Sequence, residues 1–106
     1  MVDMDSIHEL AEQIVRIYRP QQVILFGSYA YRTPTGDLDV DLLVILPCED
    51  KSSRKSVEIL NTVNPRFPVD LLVRTPEQVR QRLAWNDFFL QDIMKRGKVL
   101  YEAAHP

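Results

Sequence analysis

One cysteine, Cys48, three glycines and one tryptophan stand in a chain of 106 residues. A lone thiol cannot form an internal disulfide framework, nor can it build a zinc site from thiolates. So little glycine leaves no flexible linker, and neither a repeat nor a low-complexity tract interrupts the chain. Apolar runs are short: Val40 followed by residues 42–46 falls far below the length of a membrane span. Neither sign of charge dominates. There are 13 Lys plus Arg against 15 Asp plus Glu, a formal net charge of −2, so nucleic acid is not expected as a tight, electrostatically gripped partner. The first dozen residues carry Asp3, Asp5, Glu9 and Glu12, unlike a secretory leader. What remains is ordinary, with 45% apolar and 26% charged residues. The expectation is one compact cytoplasmic domain over residues 1–106.

Apolar periodicity and turn chemistry divide the chain into alternating elements. Ser6 and Glu9 have capping-box spacing, and Ile7, Leu10, Ala11, Ile14, Val15 and Tyr18 follow at intervals of three and four, which predicts a helix stopped by Pro20. Residues 23–26 read as a buried strand ended by Gly27, and residues 29–32 as a short helix. Residues 39–46 read as a second strand. Val57, Leu60 and Val63 give residues 51–64 a helical stripe. A third strand is predicted over 68–74. Thr75, Pro76 and Gln78 supply the N-cap, first-turn proline and capping-box partner of a helix running to about residue 83. Asn86 is placed to cap a further helix carrying Phe89, Leu90, Ile93 and Met94, with Gly97 as its stop. Residues 98–101 could add a last strand. The pattern predicts an α+β domain: mixed layers, with a mixed β-sheet flanked by helices.

The anomaly lies in the strands. Asp39 and Asp41 are two apart, a spacing that turns both side chains to one face of a strand, and Asp70 lies inside the apolar run Val69-Asp70-Leu71-Leu72-Val73. An uncompensated buried carboxylate costs about 5 kcal/mol, and two carboxylates close together repel until one keeps its proton. A hard divalent cation relieves both penalties, because Mg²⁺ takes oxygen ligands and needs few from the protein. The alternative is that these acids lie at exposed strand ends and keep the edge soluble. Asp37, after Gly36, is explained by turn chemistry.

Gly27 and Ser28 close the strand before these acids. Glycine admits a ligand close to the backbone, the amides at a helix start favour an anion, and a serine hydroxyl adds a donor. Ten residues separate Ser28 from Asp39. Gly27-Ser28, ten residues, then Asp39-Val40-Asp41 resembles the signature of the DNA polymerase β-like nucleotidyltransferase superfamily. The text around it, Gly27-Ser28-Tyr29-Ala30 and Asp39-Val40-Asp41-Leu42-Leu43-Val44, is similar to the minimal nucleotidyltransferase branch. That branch includes MntA-type antitoxins that work beside HEPN-domain toxins. The likeness extends through Val69-Asp70-Leu71 to Gly97-Lys98-Val99-Leu100-Tyr101.

The resemblance implies that Asp39 and Asp41 ligate Mg²⁺, with Asp41 bridging two ions, and that Asp70 completes the second site and helps deprotonate the acceptor hydroxyl. Gly27 and Ser28 would hold the triphosphate of ATP. The reaction implied is in-line attack on the α-phosphate with loss of pyrophosphate, and AMP would pass to a tyrosine of a HEPN toxin, silencing it. Three features depart from the family. Where Ala-Arg-Gly is common, Ala30 is followed by Tyr31 and then Arg32, which leaves Arg32 as the candidate triphosphate contact. Leu38 stands where serine is frequent. No segment is evident for recognising an acceptor, so a partner chain would supply that part. A non-catalytic binding protein of the same fold, neutralising its partner by occlusion, is the alternative. Modification of an aminoglycoside or of a nucleic-acid end is a weaker third, and a homo-oligomer stays open.

Other residues have plainer readings. His8 belongs at a helix rim, His105 to a C-terminal tail, and Cys48 to a loop without an activating base. Lys51, Arg54 and Lys55 read as a solvated helix face. Trp85, Phe88 and Phe89 are expected mostly in the core; the alternative for Phe88 is exposure, which would mark a protein interface.

Overall fold

The computed structural model describes residues 2–31 and 39–104. Arg32, Asp37, Leu38 and His105 lie outside the described residues. The elements follow as α1 (Met4–Tyr18), β1 (Gln22–Phe26), α2 (Ser28–Tyr31), β2 (Val40–Ile45), α3 (Ser52–Val63), β3 (Val69–Arg74), α4 (Pro76–Ala84), α5 (Phe88–Arg96) and β4 (Lys98–Glu102). The strands form a mixed sheet in the order β3-β2-β1-β4. β1 is antiparallel to both β2 and β4, and β2 is parallel to β3. The predicted α+β architecture is the one observed.

Strand alternation divides the core into two. Val23 and Leu25 of β1, Leu42 and Val44 of β2, and Leu71 and Val73 of β3 pack with Ile7, Leu10 and Ile14 of α1 and Ile59 and Val63 of α3. On the opposite face, Ile24, Phe26, Leu43 and Ile45 meet Val79 of α4 and Leu90 and Ile93 of α5. Asp41 shares its strand parity with Leu43 and Ile45, and Asp70 shares its own with Leu72 and Arg74. Both acids therefore belong to the α4/α5 face.

The helix ends follow local chemistry, with corrections to the sequence reading. α1 is capped by Asp3, whose carboxylate accepts from the Ser6 N–H at 2.8 Å, so Ser6 is a first-turn residue rather than the cap. Asp outranks Ala-like alternatives at a cap for the same reason as Ser, and here it comes three residues earlier. α4 has the predicted capping box: the Gln78 N–H donates to the Thr75 hydroxyl, and the Thr75 N–H donates to the Gln78 side chain. α5 is capped by Asp87, not Asn86; Asn86 has φ +60° and turns the chain so that Asp87 can accept from the Leu90 N–H. Gly97 ends α5 in extended conformation, φ −68°, so glycine serves there not for a left-handed turn but because a Cβ would lie 2.5 Å from the Ile93 carbonyl oxygen and 2.7 Å from Ile24 Cγ2. In α3 the buried pair is Ile59 and Val63, four apart, while Val57 is 57% exposed. Spacing of three drifts around a helix, and spacing of four from Val63 finds the true face.

Candidate active site

Three strand ends meet at one edge of the sheet. Gly27 follows the end of β1, Asp39 and Asp41 stand at the start of β2, and Asp70 is the second residue of β3. Parallel pairing sets Asp41 directly beside Asp70, and antiparallel pairing sets Asp41 beside Phe26. The β2–β3 register thus sets Asp41 beside Asp70, and Asp39, two residues before Asp41, stands at the same end of the sheet.

Their burial differs from the expectation. No charged side chain among the described residues is fully buried; Asp39 and Asp70 are exposed, and Asp41 is half-buried. The acids sit where strands begin and the sheet has no further cover, so the cost of desolvation falls on Asp41 alone. Burial pushes the Asp41 carboxyl above the usual carboxylate range, and the negative charges of Asp70 and then Asp39 push it further the same way.

Gly27 is fitted to this carboxylate. Its φ is +72°, a left-handed conformation that favours glycine, and a Cβ built on it would collide with Asp41 Oδ2. Its carbonyl accepts from the N–H groups of Ala30 and Tyr31, both at 3.1 Å, and so starts α2. The Ser28 and Tyr29 amides come before the first donors of that turn and are left outside its ladder. The Gly27 backbone and the Asp41 carboxylate therefore lie in van der Waals reach of each other.

A pocket of about 460 Å³ opens beside them, lined by Gly27, Tyr31, Asp41, Asp70, Phe89 and Asp92 among others. Several of its walls were not legible as site residues in the sequence. The Tyr31 hydroxyl donates to Asp92 Oδ2 at 3.0 Å, Arg96 donates to Asp92 Oδ1 at 3.4 Å, and the Arg96 guanidinium stacks over the Tyr31 ring at 4.0 Å. This network ties the short α2 to α5. Burial, with Asp92 alongside, raises the Tyr31 phenol above its ordinary value. Phe89 stands edge-on to Phe26, ring centres 5.7 Å apart at 85°. Trp85, Phe88 and Phe89, read as mostly core, are instead 70%, 80% and 58% exposed. The reason is that α5 turns Leu90 and Ile93 to the sheet, which leaves Phe88 and Phe89 in its first turn, and Trp85 before it, open to water. His8 and Cys48 stay outside the site: His8 is exposed on α1 and the Cys48 thiol donates to the Asp50 carbonyl at 3.4 Å.

Residues 7–100 match the Nucleotidyltransferase domain family. The chain belongs to that family. Its fold is also that of known nucleotidyltransferase structures. A toxin–antitoxin structure with AMP-PNP aligns at TM-score 0.61 and 19% identity, over 91% of this chain and 73% of that one. A protein from Sulfolobus solfataricus assigned to the nucleotidyltransferases aligns at TM-score 0.64 and 16% identity, over 92% and 78%. A mutant MntA–HpeT toxin–antitoxin aligns at TM-score 0.56 and 17% identity, over 96% and 75%. No curated protein matches the sequence. Nucleotidyltransferases of this family use a nucleoside triphosphate and a divalent metal. The carboxylates present fit such an ion in chemistry, being hard oxygen donors whose mutual repulsion falls on Asp41. They form an open edge, for among the described residues no three acidic, imidazole or thiol side chains close into a cage.

Proposed function

We propose that this nucleotidyltransferase moves AMP from ATP to a hydroxyl acceptor, a tyrosine of a partner HEPN toxin, and so acts as the cytoplasmic antitoxin of a toxin–antitoxin pair. The observation that carries the reading is the register of Asp41 with Asp70, set against the Gly27 cradle. The toxin–antitoxin neighbours support the antitoxin role, and the family supports nucleotidyl transfer. Residues 1–106 would work as one domain.

Asp39, Asp41 and Asp70 would hold one or two Mg²⁺ ions, which when bound neutralise phosphate charge and polarise the α-phosphate. Gly27 and Ser28 would hold the triphosphate tail, Gly27 by letting the phosphates approach the backbone and Ser28 by its hydroxyl; Arg32 is the proposed further contact. Asp70, exposed beside Asp41, would accept the proton of the acceptor hydroxyl. The acceptor oxygen forms its bond to the α-phosphorus as the bond from that phosphorus to the pyrophosphate oxygen breaks, and pyrophosphate leaves on the cradle side.

The exposed rings of Trp85 and Phe88 favour a second reading, a protein of this fold that silences its partner by occlusion without transfer. The two readings separate in one experiment. The purified protein, Mg²⁺ and a lysate of its source are mixed with ATP labelled at the α- or the γ-phosphate. Transfer predicts label on a macromolecule from the α position only, lost in Asp41→Asn. Equal labelling by wild type and Asp41→Asn would sink the enzyme reading, whereas partner binding with no label from either position would favour occlusion.

A further inference from the structure

The pocket does not end at the carboxylates. From Asp70 it continues along the same face of β3 over Leu72 to Arg74. Four steps of strand lead from Asp70 to Arg74, about 13 Å at the rise of a β-strand. Phe89 walls this stretch, held edge-on by Phe26, and Leu72 packs on the core below. The groove is thus anionic at one end, apolar along its middle and cationic at the other.

Arg74 is unusually placed. Its guanidinium is partly buried and donates to the Val73 carbonyl at 2.8 Å, but it forms no ion pair among the described residues. The nearby carboxylate of Asp87 is already engaged, by Arg82 at 3.5 Å and by the Leu90 N–H at 3.0 Å. Burial and then the neighbouring Arg82 charge disfavour the cationic form of Arg74, with Asp87 acting less strongly the other way. A half-buried guanidinium beside a second one, without an acid of its own, is a position that an incoming anion stabilises.

The order of parts across the sheet says which substrate brings that anion. The Gly27 cradle lies on the β1 side of Asp41, and Asp70 lies on its β3 side. Under the nucleotidyl-transfer reading, on which this step rests, the leaving pyrophosphate and the attacking oxygen must occupy opposite sides of the reacting phosphorus. The nucleotide's phosphates therefore take the β1 side and the acceptor takes the β3 side. We propose that the groove from Asp70 to Arg74 is the acceptor subsite, in which Leu72 and Phe89 hold the ring that carries the reacting hydroxyl and Arg74 pairs with a carboxylate of the same acceptor protein segment. The acceptor is then an aromatic hydroxyl with an acidic residue close by in an extended stretch. A nucleic-acid strand suits the groove less well, because its phosphates would run past Asp41, Asp70 and Asp92, with Arg74 as the one cation lining the groove among the described residues.

Peptide binding tests this without requiring turnover. Capped heptapeptides with one tyrosine, and with glutamate or lysine two or four residues along the same face, are titrated into the ¹⁵N-labelled chain, with ATP affinity measured in parallel. The glutamate peptide is expected to bind about tenfold more tightly than its lysine counterpart and to shift the Leu72, Arg74 and Phe89 signals. Arg74→Gln should erase that preference, and Arg74→Glu should reverse it. Equal binding of the two peptides, a preference that survives Arg74→Gln, or shifts confined to other surfaces would overturn the proposal. So would a loss of ATP affinity in Arg74→Gln with the peptide preference intact, which would give Arg74 to the nucleotide. The α-labelled ATP assay with the same peptides keeps the two ideas apart: charge-selective binding without AMP transfer would defeat the transfer reading and leave the groove as a protein-binding site.

Discussion

The two faces of the sheet are built from the same four strands yet do different work. On one face α1 and α3 cover β1, β2 and β3, and Ile7, Ile14, Leu42, Val44 and Ile59 are wholly withdrawn from water. On the other, α4 and α5 are nine residues each and cover less. There the core shrinks to Ile24, Phe26, Leu43, Ile45, Val79, Leu90 and Ile93, and the strand starts are left open. The polar side chains of the candidate site and its groove take the second face: Asp41, Asp70 and Arg74 by strand parity, and Asp92 from α5. A small domain buries a limited share of its surface, and here the fuller core and the candidate site fall on opposite faces.

That division can be broken by substitution. The largest effect belongs to the open face: Asp41→Asn is expected to lower AMP transfer at least ~10³-fold, about 4 kcal/mol in transition-state free energy, with the fold retained by circular dichroism. Next, Leu42→Ala on the closed face should cost about 3 kcal/mol of stability in denaturant unfolding, whereas Phe89→Ala on the open face should cost under ~1 kcal/mol. Comparable losses from Leu42→Ala and Phe89→Ala would mean that both faces support the fold equally, and the comparison would fail. Between the faces lies Gly27. Gly27→Ala forces a side chain into the left-handed region and a Cβ against Asp41 Oδ2, so a stability loss of about 1–2 kcal/mol is expected. Its transfer rate should fall further than that loss explains, because the clash moves the carboxylate.

How much of this was written in the sequence also follows the two faces. On the closed face α1 and the strands are legible, since Ile7, Leu10, Ala11 and Ile14 repeat with the helix period and the strands are continuous apolar runs, whereas the buried face of α3 is not, its Val57 facing water. Local chemistry gave the capping box of α4 outright. The motif Gly27-Ser28 with Asp39 and Asp41 was visible because those residues are near in sequence, and Asp70 stood out as an acid among aliphatics. Their openness was not legible: whether an acid in a strand is buried depends on which helix covers its end. Phe89 and Trp85 were misplaced for that reason, as apolar character states a preference and not an outcome. The Tyr31–Asp92–Arg96 network joins residues far apart in the chain, and no spacing announces it. Arg74 alone had a signal to offer, since Asp70, Leu72 and Arg74 share strand parity.

The smallest effect is the most informative about the open face. The native Asp41 carboxyl is held above its ordinary range by burial and by Asp70 and Asp39. The folded protein therefore binds this proton more tightly than the unfolded chain does, so the ionised group opposes folding above its native pKa. That opposition is relieved as pH falls through the native value and is gone below the unfolded one, near about 3.9. In chelator, Asp41→Asn should melt a few degrees above wild type near neutral pH, with the gap closing as the solution is acidified through the carboxylate range. Adding Mg²⁺ at neutral pH should raise wild type and leave the variant unmoved, since an ion bound only by the folded state stabilises it by mass action. A gap that stays constant with pH would trace the variant's advantage to packing, and the charge cluster would then lose its claim to be the site that a cation completes.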